Sequence, residues 1–167
     1  EMIYTFEPAV DMQAVSNLAQ LPSAQFGNKA YRLGQMSLEN HNVPRFLVLA
    51  VQAYEAQIDR LGLDKQIDRF MGNDPPADIA ANLTIIRGRI RESRLDDDLL
   101  AAVAQFMQRS QTSVAVRSSA TLEDRTDGSA AGQYATILNC LTIEEVEQAI
   151  LTCWASLWTP ENFATYL

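Results

Sequence analysis

Apolar positions along this chain recur at two spacings, and each predicts its own kind of element. Ala30, Leu33 and Met36 fall at helical spacing and predict a helix from about Asn28 to Asn40. Pro44 cannot sit inside a helix, and it pushes Val43 toward extended geometry. Phe46-Leu47-Val48-Leu49-Ala50 is an unbroken apolar run that reads as a buried strand. Residues 1–26 read as irregular except for Ile3-Tyr4-Thr5-Phe6, a short edge strand. A helix is expected from about Val51 to Leu61, closed by Gly62, and a short one from Asp64 to Phe70. Gly72-Asn73-Asp74-Pro75-Pro76 is a break. A helix from about Ala77 to Glu92 carries the stripe Ile79, Leu83, Ile86 and Ile90. Another runs from about Asp97 to Arg109, its acidic first turn matched to the helix dipole.

The last third changes period. Ser113 to Ser118 alternates and predicts a strand; Tyr134 to Leu138 predicts a second. Between them, residues 119–133 are small and polar and read as a long loop joining two buried strands. Thr142-Ile143-Glu144-Glu145 matches a capping box opening a helix to about Leu157. Thr159-Pro160-Glu161 starts a final helix with proline at its first position. The chain stops in or just after that helix, which reads as a cut.

Composition narrows the class. The 167 residues suffice for one domain or half of a large one, and can bury about 69% of their unfolded surface. A net charge of −8 argues against a general nucleic-acid-binding surface, though not against a local phosphate cluster. No apolar run is long enough to span a bilayer and no signal segment opens the chain, so a cytoplasmic protein is expected. Cys140 and Cys153 read as buried thiols, and with the single His41 they make no zinc motif. His41 reads as a surface residue at a helix end.

Two segments carry candidate chemistry. The 119–133 loop holds two glycines, two serines and two threonines, with Arg117 at its entry. Glycine lets backbone N–H groups approach an anion, hydroxyls add donors, and arginine supplies a cationic fork. That inventory suits phosphate; from composition alone, a plain surface loop beside an exposed arginine is the favoured alternative. Phe26-Gly27-Asn28-Lys29-Ala30 precedes a helix, where N–H groups and a lysine favour an anion, and a turn glycine beside a solvated lysine is the alternative. The chain contains only two lysines against 11 arginines. Neither a Walker pattern nor a dinucleotide fingerprint is present.

Val114-Ala115-Val116-Arg117-Ser118-Ser119-Ala120-Thr121-Leu122-Glu123-Asp124 resembles the Val-Arg-Ser-Ser-Ala-Thr-x-Glu-Asp signature of the phosphoenolpyruvate synthase and pyruvate phosphate dikinase family. Ser129-Ala130-Ala131-Gly132-Gln133-Tyr134-Ala135-Thr136-Ile137-Leu138-Asn139 is similar to the Ser-Phe-Ala-Gly-Gln-x-x-Thr-x-Leu-Asn run that follows. Cys153-Trp154-Ala155-Ser156-Leu157-Trp158-Thr159 resembles the family's Cys-Trp-Ala-Ser-Leu-Phe-Thr. Upstream, Gly27-Asn28-Lys29-Ala30 with Leu33 is similar to Gly-Gly-Lys-Gly-Ala-Asn-Leu, and Val43-Pro44-Arg45-Phe46-Leu47-Val48 to a Val-Pro-Pro-Gly-Phe-x-Val run shortened by a residue. The likeness covers about 27–57 and 113–167.

The resemblance implies an α/β (α+β) fold, an ATP-grasp-like nucleotide-binding subdomain with a mixed sheet packed with helices. It implies that residues 1–167 are its N-terminal subdomain, with the second half and the phosphohistidine domain outside the chain. The family's domain takes phosphate from ATP and passes it to a histidine on a separate swivelling domain; His41 does not match that histidine. By position, Lys29 and Arg117 would bind ATP phosphates, with Arg117 also the catalytic cation. Ser118, Ser119, Thr121, Asp124, Gly132 and Gln133 would complete the site, the loop closing over the transferred group. Mg2+ ligands are expected in the missing half, and this piece alone is expected not to complete a catalytic cycle. Asn28 and Ala30 stand where the family has glycine. The same module serves other acceptors, an antibiotic or a glucan, and a non-catalytic regulatory relative is the remaining alternative.

Overall fold

A computed structural model describes residues 3–6, 27–39, 41–71, 78–110, 112–118 and 135–164. In chain order the elements are β1 (Ile3–Phe6), α1 (Gly27–Leu38), β2 (Phe46–Leu49), α2 (Val51–Arg60), α3 (Asp64–Met71), α4 (Ile79–Arg91), α5 (Asp97–Ser110), β3 (Val114–Arg117), β4 (Thr136–Cys140) and α6 (Ile143–Ala155). A 3-10 turn (Ser156–Trp158) and α7 (Pro160–Ala164) follow. The α/β class expected from the sequence is therefore observed. Among the described residues the strands pair as two antiparallel ribbons, β1 with β2 and β3 with β4, and not as one mixed sheet.

Helix α6 organises the molecule. It packs against α4, α5, both strands of the β3–β4 ribbon and the 3-10 turn. Val146, Ala149, Ile150, Leu151, Cys153 and Ala155 are all buried on it. The capping box at its start is complete. Thr142 Oγ1 accepts from Glu145 N at 3.1 Å, and Glu145 Oε2 accepts from Thr142 N at 3.2 Å and from Leu141 N at 2.6 Å. The predicted stripe of α4 does its part: Leu83, Ile86 and Ile90 are fully buried, joined in the core by Leu63, Phe70, Leu99, Val103 and Leu151. Phe70 meets Phe163 of α7 edge-on with ring centroids 5.4 Å apart.

The β3–β4 ribbon departs from expectation in two ways. It is not buried on both sides: Val114, Val116 and Ile137 pack on the core, while Ala115, Arg117, Thr136 and Leu138 are exposed. Its second strand begins at Thr136 and runs through Asn139 to Cys140. Val116 pairs with Ile137 and Val114 with Cys140, so β4 holds one extra residue, and Asn139 sits there at φ 60°. Strict alternation would put Ile137 and Cys140 on opposite faces. The bulge returns Cys140 to the core, and asparagine tolerates the left-handed backbone this needs.

Candidate functional site

Helix α1 starts at buried Gly27 with φ 75°, a backbone that glycine adopts without steric cost. Asn28 and Ala30, where the sequence departs from the family's glycines, are already helical, so neither is strained. Ala30 is 5% exposed. Arg45, at the shortened Val-Pro-Pro-Gly-Phe position, lies over the Phe106 ring, 5.2 Å from its centroid.

Lys29 Nζ donates to the main-chain carbonyl of Ser118 at 2.9 Å. This bond links residues 89 positions apart and brings the two candidate segments together. Arg117, the residue before Ser118, is exposed at the end of β3. At the same place Ser118 N donates to the carbonyl of Ala135 at 3.3 Å, which ties the entry of the 119–134 segment to its exit. Cys153 Sγ donates to that same carbonyl at 3.3 Å. The cysteine of the Cys-Trp-Ala-Ser-Leu run therefore fastens the base of this segment to α6.

The rest of that run serves packing. Trp154 meets Tyr54 edge-on at 5.8 Å, and Trp158 Nε1 donates to the Tyr54 hydroxyl at 2.8 Å. Ser156 Oγ donates to Cys153 O at 2.7 Å, while Ser156 O accepts from Asn162 Nδ2 at 2.6 Å. The Cys-Trp-Ala-Ser-Leu run is thus tied to α2 and α7.

Of the residues the sequence singled out, Lys29 is hydrogen-bonded to Ser118, and Arg117 is the residue before Ser118 in the chain. Ser119, Thr121, Asp124, Gly132 and Gln133 lie outside the described residues. The sequence did not single out Thr136. Thr136 is the cross-strand partner of Arg117, so its hydroxyl shares Arg117's face of the ribbon. Its signal was present in the Thr-x-Leu-Asn run. His41 stands at the surface end of α1, 3.4 Å from Glu39. Both cysteines are buried and unbridged. Among the described residues no group of three His, Cys, Asp or Glu is placed to hold a metal ion. No helix of the described residues is long and apolar enough to cross a membrane.

What the described residues offer is a lysine bonded to the main chain next to an exposed arginine, and cations of this kind suit an anionic ligand. The model for the pyruvate phosphate dikinase AMP/ATP-binding domain matches residues 23–166, and the chain belongs to that family. The match runs through the middle helices, which the sequence motifs alone left unassigned. The chain is 36% identical over 150 residues to a rifampicin phosphotransferase of Streptomyces sviceus, covering 86% of this chain and 17% of that protein. It is 34% identical over 145 residues to a probable phosphoenolpyruvate synthase of Methanocaldococcus jannaschii, covering 80% and 12%. It is 32% identical over 144 residues to a phosphoenolpyruvate synthase of Aeropyrum pernix, covering 80% and 18%. The chain thus spans less than a fifth of the length of these relatives.

Proposed function

We propose that this chain forms the first part of an ATP-grasp-like nucleotide-binding domain, with Lys29 and Arg117 binding the phosphates of ATP. The observation that carries the reading is the 2.9 Å bond from Lys29 Nζ to Ser118 O, next to Arg117. Phosphoryl transfer needs positioning and neutralised charge more than covalent help from the protein. An arginine fork and a lysine point charge supply complementary kinds of contact. Ser118 follows Arg117 in the chain, and Thr136 pairs with Arg117 across the ribbon. Ser119, Thr121, Asp124, Gly132 and Gln133 would add hydroxyls and close backbone along the loop. Mg2+ would accompany the nucleotide, held by acidic ligands beyond this part. The phosphoryl group would pass to a histidine on another domain, as in a phosphoenolpyruvate synthase.

A second acceptor fits the same module. The likeness to rifampicin phosphotransferases supports an antibiotic acceptor, and nothing in Lys29 or Arg117 chooses between the two, because both act on the donor. Calorimetric titration of the intact protein with ATP and magnesium tests the phosphate reading. Arg117→Ala and Lys29→Met should each weaken binding with the fold unchanged. Unchanged binding in both would sink it.

A further inference from the structure

Helix α3 carries its charges in two stripes. Asp64 and Asp68 stand one turn apart, and so do Lys65 and Arg69. Like charges at that spacing are neighbours on the helix surface and repel. A face built only for solubility would interleave the signs. Lys65 is one of two lysines in the chain and lies three residues before Asp68. Among the described residues, however, no hydrogen bond or ion pair engages Lys65 or Arg69. Both side chains are exposed, and both line a cleft of about 500 Å³ bounded by α3 and α4. The walls of this cleft are joined, because Gln66 Nε2 donates to Asn82 Oδ1 at 3.2 Å and Asn82 Nδ2 donates to Asp78 O at 2.8 Å. Its inner end is Phe70, 1% exposed and held edge-on by Phe163. Two cations thus converge on a cleft with tied walls and an anchored aromatic at its base.

We propose that this cleft is a second anion site, separate from Lys29 and Arg117, and that it takes a small organic phosphate monoester. Lys65 and Arg69 have Cβ atoms about 5–6 Å apart and long side chains, so both can close on one group. A phosphate monoester carries a charge of about −1.5 to −2 near neutral pH and three acceptor oxygens, which balances the pair. A single carboxylate would leave one cation uncompensated. The arginine fork takes two oxygens and the lysine a third. The volume is that of a site for a whole small molecule rather than for a bare ion, and the organic part lies along the joined amides toward Phe70. Bound phosphate also removes the repulsion that the empty helix carries.

The test titrates the intact protein calorimetrically with glycerol 3-phosphate, inorganic phosphate and succinate. Each titration is run with magnesium and a saturating non-hydrolysable ATP analogue, so that the nucleotide segments are occupied. Glycerol 3-phosphate should bind, and more tightly than the other two probes. Lys65→Met and Arg69→Met should each weaken it about tenfold or more, the loss expected for a hydrogen bond between charged groups, and Arg69→Lys should weaken it less. Both methionine variants should bind the ATP analogue as the parent does. They should also melt no lower than the parent, since each removes a like-charge contact, and this separates loss of ligand from loss of fold. Asp68→Asn keeps both cations and should not weaken the probe. No binding of glycerol 3-phosphate, or equal binding in the two methionine variants, overturns the site. Equal affinity for inorganic phosphate overturns the organic part, and equal affinity for succinate overturns the phosphate. If Lys29→Met or Arg117→Ala abolishes probe binding while Lys65→Met and Arg69→Met do not, the probe sits with the nucleotide and the second site is wrong.

Discussion

The ammonium of Lys29 donates to the carbonyl of Ser118 across 89 positions of sequence. A carbonyl is neutral, so this bond does not cancel the charge the lysine can offer an anion. Lys29→Met should therefore weaken tripolyphosphate and ATP alike. It should cost stability about 1.5–3 kcal/mol, the scale of one hydrogen bond to a charged group. Lys29→Arg should recover part of the binding. Denaturant melts alongside the titrations check both halves.

Asn139 is the one non-glycine residue with positive φ among the described residues. Asn139→Gly should be close to neutral. Asn139→Val should cost about 1–3 kcal/mol, because a β-branched residue is strained in the left-handed region. Chemical denaturation of the two variants checks the ordering; a valine variant as stable as the parent would remove the bulge from the account of the ribbon.

Glu147 is 6% exposed, and its Oε1 accepts from Leu95 N at 2.9 Å. It thereby fastens the turn between α4 and α5 to α6. Arg94 stands 3.7 Å from the same oxygen but is 77% exposed, so the hydrogen bond outweighs the ion pair. Glu147→Ala leaves a buried N–H without its acceptor and should cost about 1–3 kcal/mol. Glu147→Gln keeps an acceptor and should recover most of that loss, as equilibrium unfolding can measure.

Burial pushes the Cys140 thiol above its ordinary value of 9.0, and the charge of Glu145 pushes it the same way. A raised value in the folded state means the unfolded chain ionises first as pH climbs. The contribution of Cys140 to stability is thus whole below about pH 9.0 and falls away above it. Cys140→Ala should flatten the alkaline loss of stability. Glu145→Gln should lower the pH at which Cys140 reacts with a thiol reagent, by less than unfolding does.

Most elements were legible because periodicity and punctuation agreed. Gly62 closed α2, Pro160 opened α7, and the Thr142–Glu145 box fixed the start of α6. Where they disagreed, the strand was misplaced. The pattern places the second strand over Tyr134 to Leu138, whereas the left-handed Asn139 is absorbed as a bulge and pairing continues to Cys140. The end of α6 was also overrun. Its last turn tightens from Ser156 because Asn162 takes the Ser156 carbonyl and Tyr54 takes the Trp158 N–H, contacts that no local pattern encodes. The pairing of Lys29 with Ser118 is of the same kind: spacing could nominate each residue, and only the fold could join them.

That joining has a kinetic side. The chain between Lys29 and Ser118 contains β2, all of α2 through α5 and β3. Closing so long a segment is an entropic cost that only the packed helices between its ends can offset. The pairing should accordingly form late in folding and loosen early in unfolding. A ligand held at both ends would act as a clasp on the intervening helices. Its binding should slow amide hydrogen exchange in α4 and α5, elements that contribute nothing to it chemically.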